Sequence, residues 1–421
     1  MTIQQKDREI TNQKILSFTL CIMLFFSPII QFVNIFLIFL FWSQISVDSL
    51  ILYGFQLIMT VISLGIVIKR MKLSTMLLPL FFLLSFVVSA AFHPETRQYM
   101  FTSWGDFVGN KVYWMFIYSL PAFVIIRRIW DYDRLFRYML AFSIPSMLCS
   151  LGVLILYLIK DDQPGYMSFS YDLLPAVVVL LFGFFTKRKA IYLIGSIVGF
   201  VIMFFCGARG PMLCIFVAIV MYIVFMTEKN SSKILIVMIS AIVLVLLLVF
   251  WDPIFQVLCN VSESLGLSSR MLEKIADGSF VDDSGRSTVR SELLPRLSIL
   301  GHGLYGDRVL TNGRYAHSIF VEILVEYGLF FGPVILLFLV FLLVTGLFTK
   351  DRGKRLLFII FFSAGFVRLL MSGSYLSKEP AFYAMIGICF SALFKDDVKP
   401  KQSNDKLFVR SLRLRKNNNA S

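Results

Sequence analysis

Two arginines four residues apart, Arg286 and Arg290, stand in the stretch Asp282-Asp283-Ser284-Gly285-Arg286-Ser287-Thr288-Val289-Arg290-Ser291-Glu292-Leu293-Leu294-Pro295. Read as a short helix capped by Ser284 or Ser287, it carries Val289, Leu293 and Leu297 as one apolar stripe. The two arginines share another face. Each guanidinium offers a planar fork of donors with permanent charge, so two projecting together suit a diphosphate. The same spacing also fits an exposed basic face, or ion pairs with Asp282, Asp283 or Glu292. A second group begins at Tyr315-Ala316-His317-Ser318, where Ser318, Glu322 and Glu326 recur every four residues on one face of an apolar run. Carboxylates inside a membrane span are expensive and mark a site by default; the other reading is a pair of structural ties between helices. His317 lies at the mouth of this run, where an interfacial anchor would also sit. Two further cations stand out. Arg209 occupies the tight turn Cys206-Gly207-Ala208-Arg209-Gly210-Pro211, and Arg368 lies inside an apolar run. A buried arginine needs a partner, and Glu322 or Glu326 are candidates, alongside a role for Arg368 with substrate.

The elements that must position these residues are membrane helices. Of 421 residues, 58% are hydrophobic and only 16% charged, and mean hydropathy is +0.79. A soluble domain carries about 25% charge, so this chain has too little polar surface to cover itself in water. Apolar runs recur at about 15–41, 50–68, 73–92, 112–126, 138–159, 173–186, 190–207, 211–227, 233–251, 318–348, 356–373 and 380–394. Runs of about 20 residues cross a ~30 Å hydrocarbon core, and there the backbone must be helical. The expected fold is therefore all-α: a polytopic membrane bundle of about twelve helices with a long external loop between helices 9 and 10. One transmembrane domain over 1–394 contains that loop at 252–316, followed by a basic tail at 395–421. The first run, with Pro28, Gln31 and Asn34, is too long for a cleavable signal core.

Basic residues set the sides. With the N-terminus inside, most Lys and Arg residues fall in cytoplasmic connections, including Lys69-Arg70, Arg127-Arg128, Lys187-Arg188-Lys189 and Lys350 to Arg355. Both termini are then cytoplasmic. The net charge of +14 is flanking charge that meets anionic lipid and calls for no nucleic acid. Within the outer loop, Glu263 to Ala276 reads as an amphipathic helix on the bilayer surface. No CxxC or Cys/His cluster is present, and Asp131-Tyr132-Asp133 lies in a short cytoplasmic turn, so no metal site is expected.

Taken in order and on one side of the membrane, these segments resemble the O-antigen polymerase and O-antigen ligase superfamily. The resemblance is carried by Arg209-Gly210, by Ser284-Gly285-Arg286 with Arg290, by the re-entry Gly301-His302-Gly303, by His317-Ser318-Ile319-Phe320 and by Glu326-Tyr327-Gly328. Its motifs cover about residues 200 to 335; Ser318 stands where the family usually has Asn, and Arg290 roughly where ligases often have Trp. The resemblance implies transfer of a glycan from an undecaprenyl-diphosphate donor to a sugar hydroxyl on the outer face of the bacterial cytoplasmic membrane. Arg209, Arg286 and Arg290 would stabilise the leaving diphosphate, and His317 or Glu322 would take the acceptor proton. Arg368 and Glu326 are further candidates, and no cofactor or metal is implied. The expected activity is a polysaccharide polymerase that joins lipid-linked repeat units into capsule, O-antigen or exopolysaccharide, with a chain-length regulator among its partners. A ligase acting on lipid A core is the alternative within the family. A lipid-linked oligosaccharide flippase is the alternative of another class, although the chain shows no pair of related halves.

Overall fold

The computed structural model describes residues 3–41, 47–69, 71–101, 114–160, 166–206, 209–227 and 285–394. The expected ninth span at 233–251, the amphipathic segment at 263–276 and the tail at 395–421 lie outside the described residues. Those described are all-helical, with no strand. Six helices are long and apolar enough to cross a membrane, and four shorter apolar helices lie at Tyr53–Ile68, Trp114–Ile126, Ala190–Phe204 and Pro380–Leu393.

We number the helices that matter here as follows: α1 (Ile3–Phe41), α2 (Val47–Ile68), α3 (Leu73–Phe92), α4 (Leu120–Ile126), α5 (Tyr132–Lys160), α6 (Tyr166–Lys187), α7 (Ala190–Phe205) and α8 (Arg209–Met226). C-terminal to residue 285 come α9 (Arg286–Leu293), α10 (Gly306–Leu310), α11 (Ile319–Leu347), α12 (Arg352–Phe361), α13 (Val367–Met371) and α14 (Pro380–Leu393). α14 is the hub: nearly all its residues are buried, against α4, α11 and α12. Pro28 does not divide α1, which runs through it and packs along α5 and α2.

Connections gather at two ends. At one end Gln13 Nε2 donates to the Arg128 carbonyl (2.9 Å), Arg127 Nη1 to the Ser74 carbonyl (2.6 Å) and Arg355 Nη1 to the Phe225 carbonyl (3.0 Å). Lys354 Nζ sits 5.6 Å over the Tyr132 ring. Asp131 is engaged there too, in an ion pair with Arg134 (3.2 Å) and a bond from the Arg134 N–H (3.0 Å). These are the basic connections that the alternation assigns to a single side. The opposite end holds the turn at 372–379, the start of α8 and the segment 285–318.

The expected tenth span is not one uninterrupted helix. At Gly328 the backbone turns to φ +76° and breaks the ladder of α11. That break lies roughly nine residues, or about 14 Å, along the helix from its start, and the backbone groups it frees need other partners. The preceding segment satisfies them. His302 N–H donates to the Val325 carbonyl (2.9 Å) and Gly303 N–H to that of Glu326 (3.1 Å). In return Leu329 N–H donates to the Ser298 carbonyl (2.9 Å) and Phe330 N–H to that of Ile299 (3.1 Å). The two backbones touch at glycines: a Cβ on Gly301 would lie 2.7 Å from Gly328 N, and one on Gly328 2.6 Å from the Leu300 carbonyl carbon. Gly301 also has φ +85°. The two glycines, far apart in sequence, answer one steric demand.

Gly328→Ala is therefore expected to cost about 3 kcal/mol or more, combining left-handed strain with a backbone clash. Gly65→Ala in α2, where a Cβ meets nothing within 4 Å, should be neutral or slightly stabilising. Melting temperatures of the two variants in detergent check this; equal values would mean that the glycine contact is not structural.

Candidate functional site

α9 begins after Gly285, whose φ of +78° starts the helix without a side-chain cap. Its stripe is buried as the pattern expects: Val289 and Leu293 pack with Ala316 and Val325, with Leu297 alongside. This fixes the other face, where Arg286 Nη1 donates to the Met371 carbonyl at the end of α13 (2.8 Å). Arg290 Nε donates back to the Arg286 carbonyl (3.3 Å).

His317 faces both arginines. Burial first, and then the charges of Arg286 and Arg290, push its pKa down from 6.5 to about 4, so at neutral pH the ring is uncharged. Its backbone is held at φ +54°, a region L-residues other than glycine rarely adopt. Strain of this kind persists only where the surroundings impose it, often at working sites. The ring lies on Tyr315, with centroids 3.8 Å apart, and its buried Nδ1 has no hydrogen-bond partner among the described residues. Tyr315 Oη is 3.1 Å from Ser372 Oγ in the turn after α13.

Arg209 and Gly210 open α8 in the same neighbourhood. A Cβ on Gly210 would lie 3.0 Å from Tyr171 Cζ and 3.8 Å from Met371 Cβ, the residue whose carbonyl holds Arg286. Tyr171, on α6, is within electrostatic reach of Arg286, Arg368 and Tyr315. The Arg368 guanidinium stacks 4.8 Å over its ring. Five segments thus meet around Tyr171, Met371 and His317: α6, the start of α8, α9, residues 315–317 and α13. They bring together Arg286, Arg290, His317 and Arg368, with Arg209 at the adjoining helix start.

The carboxylates of α11 belong to a separate, deeper network. Glu322 and Glu326 are 1% and 2% exposed. Glu322 accepts from Ser374 Oγ and lies 3.6 Å from Arg308 Nη1. Glu326 accepts from the Tyr375 hydroxyl and, through Oε1, from the Tyr305 N–H (2.8 Å). Asp307 completes the set, 3.0 Å from Arg308 Nη1 and accepting the N–H of Ala316 (2.9 Å). Oxygens of Asp307, Glu322 and Glu326 lie within 4.8 Å of one another, a spacing that could hold a cation. Here the Arg308 guanidinium supplies the positive charge, itself 4.5 Å over the Tyr305 ring. Of the two readings of these carboxylates, the geometry is that of a tie: it locks the segment 305–316 and the turn 372–379 onto α11.

One expected pairing is corrected. Arg368 bonds neither Glu322 nor Glu326; its ion pair is with Glu379 (3.3 Å), at the start of α14. The carboxylates of α11 are engaged instead by Arg308, by the hydroxyls of Ser374 and Tyr375 and by the Tyr305 N–H.

Asp307, Arg308, Tyr171, Asp172, Ser374, Tyr375, Lys378 and Glu379 went unremarked in the sequence reading. A signal for most of them exists: Ser372-Gly373-Ser374-Tyr375-Leu376-Ser377-Lys378-Glu379 is a polar octet wedged between two apolar runs, and Asp172 sits at the mouth of another. No protein-family model, curated protein or solved structure matches this chain.

Proposed function

We propose that this protein is a membrane glycosyltransferase of the polysaccharide-polymerase type, joining undecaprenyl-diphosphate-linked repeat units on the outer face of a bacterial cytoplasmic membrane. The observation that carries the reading is the convergence of Arg286 and Arg290 on an uncharged His317, beside the Arg209-Gly210 helix start. In this reading the donor diphosphate lies against the two guanidiniums. The acceptor hydroxyl loses its proton to His317 as its oxygen attacks the anomeric carbon, and the carbon–oxygen bond to the diphosphate breaks. The charge that develops on the leaving oxygen meets preorganised cations. The bound dianion would also offset the arginine charges that depress His317, making the imidazole a better base once the donor is in place. Glu322, the other candidate base, is committed to Ser374 and Arg308, and its part is to hold the turn.

The orientation rests on the basic connections gathered at one end of the bundle, which the charge bias assigns to the cytoplasm. The arginine pocket is at the other end, where a lipid-linked donor presents its glycan after translocation. The energy comes from the activated donor.

Deleting the gene tests the reading. Cells of a producing strain should lose the glycan ladder and retain single repeat units on the lipid carrier or its terminal acceptor. An intact ladder would refute it. Full-length polymer left on the carrier would indicate the ligase, and single units trapped on the inner face the flippase.

A further inference from the structure

Beyond the arginine pocket a second polar group lies among the helices, half-buried, and the reaction scheme above does not use it. Lys378 projects its Nζ over three aromatic rings, 4.7 Å from Tyr118, 5.1 Å from Trp114 and 5.8 Å from Tyr53. Among the described residues no acceptor hydrogen-bonds that Nζ. Asp172 is within electrostatic reach. Both hydrogen bonds to Asp172, from Ser27 Oγ (2.6 Å) and Gln31 Nε2 (3.3 Å), go to Oδ2, so Oδ1 has none among the described residues. Glu379 and Arg368, paired with one another, form the wall towards Tyr171.

Lys378, Asp172, Ser27, Gln31, Tyr53 and Trp114 are each only partly buried, although they come from α1, α2, α6, the helical stretch Trp114–Ser119 that leads into α4, and the turn before α14. An ammonium and a carboxylate facing hydrocarbon would be costly, so their exposed atoms mark an aqueous crevice. Its charges cancel: Lys378 and Arg368 against Asp172 and Glu379. A strong preference for either an anion or a cation is therefore missing. Among the described residues one donor and one acceptor stay unbonded, beside the aromatic rings over which the ammonium lies.

The geometry points to this crevice as a binding site for a neutral sugar, the acceptor end of the glycan. A sugar hydroxyl can accept from Lys378 Nζ while it donates to Asp172 Oδ1, and the C–H face of the ring lies on Trp114 or Tyr53. Arg368 lies between this crevice and Tyr171, so the sugar would sit next to the diphosphate pocket. That it is the acceptor rests on the proposed polymerase reading; that it takes a sugar does not.

The test is calorimetry on the full-length protein in detergent with two probes. One is the lipid-free oligosaccharide released by mild acid from the lipid-linked pool of producing cells; the other is inorganic pyrophosphate. Lys378→Met and Trp114→Ala should each weaken oligosaccharide binding about tenfold, as expected for loss of a charged hydrogen bond or a stacking face, and keep pyrophosphate binding, which also reports folding. Arg286→Ala should do the reverse. Wild-type protein that ignores the oligosaccharide, or variants at Lys378 and Trp114 that bind it unchanged, would overturn the site. If Lys378→Met loses both probes through misfolding, Asp172→Asn decides on the same criterion. Failure of wild-type protein to bind pyrophosphate would count against the polymerase reading and leave the sugar result standing.

Discussion

Arg286→Ala and Arg290→Ala should each abolish long-chain glycan while the protein still accumulates in the membrane. Removing one preorganised donor from a site of developing charge costs about 10²–10³ in rate, enough to leave mainly single repeat units. Arg→Lys keeps the charge but loses the fork, so Lys should also impair whichever of the two makes a bidentate contact. Arg209→Ala, at the adjoining helix start, should shorten chains as well. A surface ion pair would be worth only ~0–1 kcal/mol, too little for such a defect. Arg286 has a second duty, since its bond to the Met371 carbonyl (2.8 Å) ties α9 to α13. Arg290 Nε bonds the Arg286 carbonyl of its own helix, so the two variants are read together. Glycan length on gels, normalised to protein level, is the measurement. Normal ladders in all three Ala variants would reduce these arginines to a solvated basic face.

Replacing His317 with Ala should lower turnover by about 10²–10⁴, the usual contribution of a positioned general base. The pH dependence carries more information. His317 accepts a proton only when neutral, and its pKa is depressed to about 4. The acid limb of kcat/KM, which reports the free enzyme, should therefore fall near pH 4 and leave activity flat through neutrality. The limb of kcat should lie higher, because bound diphosphate offsets the two arginine charges. Arg290→Ala removes one of those charges and should move the kcat/KM limb upward, towards but not reaching the ordinary 6.5, since burial is the larger cause. An acid limb unmoved by Arg290→Ala would show that His317 is not the titrating base.

Much of this site was legible in the sequence, for local reasons. The apolar stripe of Val289 and Leu293 follows from helical spacing, and it alone determines that Arg286 and Arg290 share the opposite face. The Gly-x-Gly re-entry and the glycine after Glu326-Tyr327 were visible separately. Their contact was not, because it joins residues 301 and 328 through backbone atoms that carry no sequence signature. The partner of Arg368 was misassigned for a related reason: spacing identifies charges on one helix, but pairing across helices depends on which acceptors are already occupied. Arg308 was the missing element, and it lies in the short helix α10 rather than in a span. The Lys378 crevice was the least accessible, because its walls come from five separate elements that only the assembled fold brings together. The helices themselves were read from hydropathy, of which six long and four shorter apolar ones lie among the described residues.

The central claim is that the outer arginine pocket transfers glycan from a lipid diphosphate. Purified protein in proteoliposomes, supplied only with undecaprenyl-diphosphate-linked repeat unit, tests it most directly, with chain length and released undecaprenyl diphosphate measured together. Wild-type protein should give a ladder with one carrier diphosphate released per linkage, and the Arg286→Ala/Arg290→Ala double variant, folded by the same size-exclusion profile, should give neither. Repeat units left unjoined by wild-type protein, or a ladder from the double variant equal to that of wild type, would contradict it.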